Sequence, residues 1–174
     1  MGGCAGPRVA RCARLDERMP LSFRAPRPDE YEALEKLVVD SFEPITWFKT
    51  LDERYGPLNG QDWRARWHAR MQNVLRTEIL LAGEEDGEVV AFSSGAYDEA
   101  SRLGFVDLLA VKQGQQGKGY GRQMLRGMIA HFQSLGAQQV NLECLADNDA
   151  GNALYRSEGF VEVARSIRWF LKLS

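Results

Sequence analysis

Seven consecutive residues carry the most pointed chemistry in the chain: Gln116, Gly117, Lys118, Gly119, Tyr120, Gly121 and Arg122. Glycines at 117, 119 and 121 remove side chains where the backbone must present its N–H groups. Met124, Leu125, Met128, Ile129, Phe132 and Leu135 follow at helical spacing, so the loop opens a helix. The first turn of that helix adds unpaired donors and the positive end of a dipole, and Lys118 and Arg122 add charge. The stretch is built to hold an anion, phosphate or pyrophosphate first of all; the plain alternative is a turn with a helix cap. Two better-known phosphate loops fail on spacing. A nucleotide-triphosphatase loop needs glycine where Lys112 stands and Ser or Thr where Gly119 stands, and a dinucleotide loop needs its third glycine at Arg122.

Gln116, Gly119 and Gly121 also satisfy the pattern Q-x-x-G-x-G. A second piece reads Leu142-Glu143-Cys144-Leu145-Ala146-Asp147-Asn148, then Asn152-Ala153-Leu154-Tyr155-Arg156-Ser157-Glu158-Gly159-Phe160. Over residues 102–162 these linked motifs resemble the GNAT superfamily of N-acetyltransferases. The resemblance implies an α/β fold, a mixed central sheet flanked by helices, whose two central parallel strands splay apart into an acyl-CoA cleft.

In such a cleft the pantetheine arm would pair with backbone at Leu109, Ala110 and Val111, and the pyrophosphate would rest on residues 116–122. A free N–H near Leu109 would support the charge growing on the thioester oxygen. Asn148 matches the asparagine that contacts the pantetheine arm, and Asn152 and Arg156 lie near its distal part. Tyr155 matches the proton donor to the departing thiolate; packing under Phe160 is its plain alternative. For the base, Glu143 leads, because its spacing to Tyr155 resembles that in bacterial ribosomal-protein alanine acetyltransferases; Asp107 on the neighbouring strand is its rival, and a water chain the third option. Cys144 adjoins Glu143, and neighbours on a strand face opposite ways, so direct transfer in a ternary complex is expected over an acyl-cysteine.

The resemblance thus implies acetyl transfer from acetyl-CoA to a primary amine, with no metal. A small-molecule amine is the first choice of acceptor and a protein N-terminus or lysine the second; a non-catalytic acyl-CoA sensor is the alternative from another class. Homodimerisation follows only by analogy with the family.

Positioning these groups requires the rest of the chain. Residues 21–25 read as a strand, and Tyr31, Leu34, Leu37, Val38 and Phe42 mark a helix to about Ser41. Residues 44–60 mix aromatics with turn formers and read poorly as regular structure. Trp63, Trp67, Met71 and Val74 define a helix over 62–76, with Arg64, Arg66, His68, Arg70 and Arg76 largely elsewhere around it. Those arginines either recognise an acidic acceptor or form a solvated face; Trp47 either lines an acceptor site or packs, and the lone His68 reads as surface. Residues 78–84 and 88–97 form a hairpin turning at Asp86-Gly87. Strands follow at 105–111 and 139–145, a short helix at 149–158, and two last strands at 160–164 and 167–173.

At 174 residues, 44% hydrophobic and 26% charged, the chain reads as one domain over 21–174, with 1–20 a disordered N-terminal extension. That extension carries arginines but also Asp16 and Glu17 and no serine, which argues against a secretory or organelle address; Met19 is an alternative start. A formal net charge of −2 disfavours nucleic acid and anionic membranes, and no apolar run approaches the length of about 18 needed to span a bilayer. Cys4, Cys12 and Cys144 form no metal or disulfide pattern, so a reducing, cytoplasmic setting is expected.

Overall fold

The computed structural model describes residues 20–173, so the extension assigned to 1–20 and its two cysteines lie outside the described residues, save position 20. One sheet runs in sequence order: β1 (Ser22–Arg24), β2 (Ile79–Glu85), β3 (Glu88–Asp98), β4 (Leu103–Val111) and β5 (Gln139–Leu142). The first four strands pair antiparallel; β4 and β5 are parallel. The crossover between them is α4 (Tyr120–Ser134), as a parallel pair requires. On the other side of the sheet lie α1 (Tyr31–Phe42) and α3 (Trp63–Thr77), with α2 (Trp47–Tyr55) between them in sequence; α5 (Asp149–Ser157) follows β5.

Two apolar layers hold the sheet. Leu34 and Val38 of α1 and Trp67, Met71 and Val74 of α3 pack on Phe92, Leu108 and Ala110. Met124, Leu125, Met128 and Phe132 of α4 pack on Val90, Ala91 and Val106. Each such side chain, fully buried, contributes roughly 1.5–3 kcal/mol, which explains why β3 is buried on both faces from Val90 to Gly95. No helix among the described residues is long and apolar enough to cross a membrane.

Two expectations fail. Residues 44–60 do contain a helix, α2, which starts at Thr46, whose Oγ1 accepts from Phe48 N (3.4 Å) and from Trp67 Nε1 (2.9 Å), and stops at Gly56. It is tied to α3 because Arg66 donates to the Phe48 carbonyl (2.8 Å) and pairs with Asp52. Its nine residues are too short for the periodic signal that betrays the other helices.

The two last strands are absent: residues 158–173 form no regular element. Their alternating apolar residues are present but uncovered, with Val163 93% and Trp169 89% exposed. A strand pattern needs a neighbour to pair and pack with. Here the segment runs instead to α2, where Phe170 meets the Tyr55 ring at 5.1 Å and the Arg168 guanidinium lies over Trp47 at 5.0 Å.

The β3–β4 register passes from Ser94↔Leu108 to Gly95↔Val106, so Asp107 is an extra residue, a β-bulge. Gly95 is what permits it: a Cβ there would come within 2.1 Å of the Phe105 carbonyl oxygen. Gly95→Ala is therefore expected to destabilise the protein by about 3 kcal/mol, the upper end of ordinary overpacking. Urea titration reads the loss directly, and an unchanged midpoint would mean that the bulge relaxes freely.

Candidate active site in a splayed cleft

Pairing between β4 and β5 covers four residues, Leu103↔Gln139 to Val106↔Leu142, and then stops. β4 continues to Val111 without β5 beside it. Because Lys112 N donates to Val90 O on β3 (2.8 Å), alternation turns the N–H groups of Leu109 and Val111 the other way, into the gap that β5 leaves. Ala110 faces β3 with its backbone and the α3 layer with its side chain, so of the three backbone positions expected to hold a pantetheine arm, two open onto the gap.

The gap leads to the glycine loop. Gln116 staples the loop to the end of β4, donating from Nε2 to Val111 O (3.3 Å) and accepting at Oε1 from Gly114 N (3.2 Å). Gly119, at φ 85°, caps α4 in a left-handed conformation that disfavours other residues, and no side chain caps the N–H groups of the first turn. A Cβ on Gly117 would meet nothing within 4 Å, so the loop's outer face is open. Gly121 passes close to β4 and α5, where a Cβ would lie 3.7 Å from Val111 and Leu154. Tyr120 is buried in the α4 layer. Lys118 reaches back to Gln115 Oε1 and is the loop's cation. The Arg122 guanidinium pairs with Glu158 (3.1 Å) and donates to Ser157 Oγ (3.0 Å), tying α4 to the end of α5.

Across the gap, α5 begins at Asn148, whose Oδ1 accepts from Gly151 N (3.1 Å). Asn152 Nδ2 donates to Leu145 O (2.9 Å), fixing the turn after β5, and Arg156 is exposed. Both asparagines thus shape the far wall. Tyr155 packs into the α4 layer, its ring 6.1 Å from Phe160 edge to face. Burial, with the Cys144 thiol beside it, pushes its phenol up to about 12, so it holds its proton at neutral pH. Burial also raises the Cys144 thiol, which lies under α5 near Asn148 and Gly151. A thiol so held is a poor nucleophile. Cys144→Ala is accordingly expected to keep kcat within about twofold, measured with saturating donor, and parallel initial-rate lines in the unmodified protein would contradict direct transfer.

Of the carboxylate candidates, Glu143 is exposed just past the end of β5. Asp107 is on the opposite face of the sheet from Tyr155: the bulge turns it toward α3, where Arg70 donates to both its oxygens (2.8 and 2.9 Å). Of the other α3 arginines, Arg66 is paired with Asp52 and Arg64 with Asp62 and Glu43, while Arg76 donates to Asn73 Oδ1 on its own helix (3.3 Å). His68 Nδ1 lies 2.7 Å from Glu35 Oε1, and the Trp47 ring meets that of Phe48 at 4.4 Å, tilted by 53°. Beside the splay, the α1–α2 junction and the turn after β5 enclose a polar hollow of about 230 Å³, lined by Glu43, Thr46, Lys49, Glu53 and Asp147 among others.

A model of the acetyltransferase (GNAT) family matches residues 32–160, taking in the splayed strands, the glycine loop and α5. The chain belongs to the GNAT family. A mycothiol acetyltransferase of Streptomyces coelicolor is 33% identical over 82 residues, 47% of this chain; the chain spans only 26% of that protein's length. Among solved structures, an aminoglycoside N-acetyltransferase in complex with CoA superposes with a TM-score of 0.62 at 12% identity, covering 90% of this chain and 99% of the other. A ribosomal-protein-alanine N-acetyltransferase from Brucella melitensis gives 0.61 at 25% identity, over 83% and 86%.

The sequence singles out Arg70 only as a candidate for an acidic acceptor or a solvated face and gives no sign of Glu78 and Ser94, yet all three gather around Asp107 in this GNAT chain. Glu78 follows α3 as its C-cap, and its Oε2 is buried with no hydrogen-bond partner among the described residues. Ser94 Oγ, on a fully buried residue, is likewise unpartnered. Burial holds the Glu78 carboxyl above the usual carboxylate range, and the Asp107 charge adds to this against the opposing Arg70. The signal available was Gly95 inside a strand, which marks a bulge and hence a side chain turned out of register.

Proposed function

We propose that the chain transfers an acetyl group from acetyl-CoA to a primary amine, directly within a ternary complex, with residues 21–174 acting as one domain. The observation that carries this reading is the end of β4–β5 pairing at Val106 and Leu142, which leaves the Leu109 and Val111 N–H groups facing a gap that ends at an open glycine loop. The residues fit the donor. On this reading the Leu109 and Val111 N–H groups would pair with the arm and the thioester oxygen, Lys118 and the first turn of α4 would hold the pyrophosphate, and Tyr155, which keeps its proton at neutral pH, would return one to sulfur.

A small cationic amine is the favoured acceptor. The hollow beside the splay has three acids against one lysine, and its volume suits a small amine better than a folded chain end. A protein N-terminus is the second reading, favoured by the likeness to the Brucella ribosomal-protein-alanine N-acetyltransferase. Release of free thiol from acetyl-CoA, followed across a panel of small primary amines and short peptides with free N-termini, separates them. Higher kcat/KM on the small amines supports the first reading; turnover confined to the peptides replaces it with the second. Donor binding without release in either set would favour the sensor.

A further inference from the structure

Asp107 stands at the β4 bulge, paired across to α3. Both its oxygens accept from a single nitrogen of Arg70, Nη2 (2.8 and 2.9 Å), so its acceptors are already engaged. Glu78 beside it is the reverse case. Its Oε2 is buried and free of hydrogen bonds, and it closes α3, where the helix dipole opposes negative charge. From β3 the Ser94 hydroxyl adjoins the same carboxyl without closing a hydrogen bond of ordinary geometry. These groups come from every element around Glu78: Arg70 from α3, Ser94 from β3 and Asp107 from β4. Buried unpartnered polar atoms cost free energy, and a proton on Glu78 Oε2 would let that carboxyl donate to the neighbouring Asp107.

We propose that Glu78 is where the proton of the acceptor ammonium comes to rest, reaching it by way of the partly exposed, Arg70-bound Asp107. The inference rests on the acetyl-transfer reading. In the step, an N–H bond of the ammonium breaks and an O–H bond forms on Glu78 Oε2. The freed amine attacks the thioester carbonyl, the C–S bond breaks, and the thiolate takes the Tyr155 proton. The phenol is restored by the proton that the new amide nitrogen sheds, and Glu78 returns its own to solvent. On this route the acceptor's ammonium, reaching in from the hollow, would meet Asp107 at the β4 bulge, and Glu78 is a positioning residue that acts through it.

The test is the pH profile of Glu78→Gln. Near neutral pH its kcat/KM for a small primary amine is expected to fall by about a hundredfold, with coenzyme A affinity and melting temperature unchanged. Raising the pH supplies free amine from solution, so the deficit should shrink steadily toward the acceptor's own ionisation. A ratio constant across pH, or full activity, would overturn the proposal, since a packing lesion has no reason to be cured by base. In the free protein, carbon-detected NMR should find Glu78 titrating above the ordinary value of about 4.3 and lower in Asp107→Asn. An ordinary midpoint that Asp107→Asn leaves in place overturns the proposal even if acetyl transfer is established. Absence of transfer by the unmodified protein, with that raised midpoint intact, counts instead against the acetyl-transfer reading on which the proposal rests.

Discussion

Gly119→Trp is expected to weaken coenzyme A binding at least about a hundredfold, close to 2.8 kcal/mol, as read by calorimetry. Gly119 sits at φ 85° immediately before α4, where the first-turn N–H groups have no side-chain cap. An indole there would occupy the space over those donors and displace the pyrophosphate from them. The left-handed backbone also costs a non-glycine residue about 1–2 kcal/mol, so the variant should melt a few degrees lower while remaining folded. Affinity within a few-fold of the unmodified protein, at a comparable melting temperature, would mean that the glycine loop is only a turn and cap.

Tyr155→Phe should lower kcat by about a thousandfold while leaving coenzyme A affinity within twofold. The ring and its contact with Phe160 are kept, so the lesion is confined to the proton. Burial holds the phenol near 12, above its ordinary value, so it is protonated throughout the working range and should impose no alkaline limb of its own below that pH. Single-turnover measurement with a saturating amine isolates the chemical step. Equal rates in the two proteins would reduce Tyr155 to a packing residue.

Much of the framework is legible in the residues alone, for a physical reason. The glycine loop, the hairpin at Asp86-Gly87 and the amphipathic faces of α1, α3 and α4 are local patterns, in which each residue's role depends on close neighbours in sequence. The parallel β4–β5 pair follows from strand, helix and strand in succession. What is not legible depends on distant partners. Arg70 looks like part of a solvated face because helical periodicity says nothing about a bulge lying beneath it on β4. Arg122 looks like an anion ligand, and its pairing with Glu158 at the end of α5 is invisible in the local pattern. The final residues alternate as strands do, yet nothing in the pattern says whether an edge will receive them. Asn148 and Asn152 match a family pattern, and the structure adds that each also orders the turn bounding the gap.

The most direct test of acetyl transfer is incubation of the purified protein with acetyl-CoA labelled in its acetyl group and a cell extract, followed by mass spectrometry of the products. The label is expected on the nitrogen of a small primary amine, in amounts that fall sharply with Tyr155→Phe. Label that stays on coenzyme A, although the donor binds with ordinary affinity, would contradict transfer and leave the splayed cleft as a binding site alone.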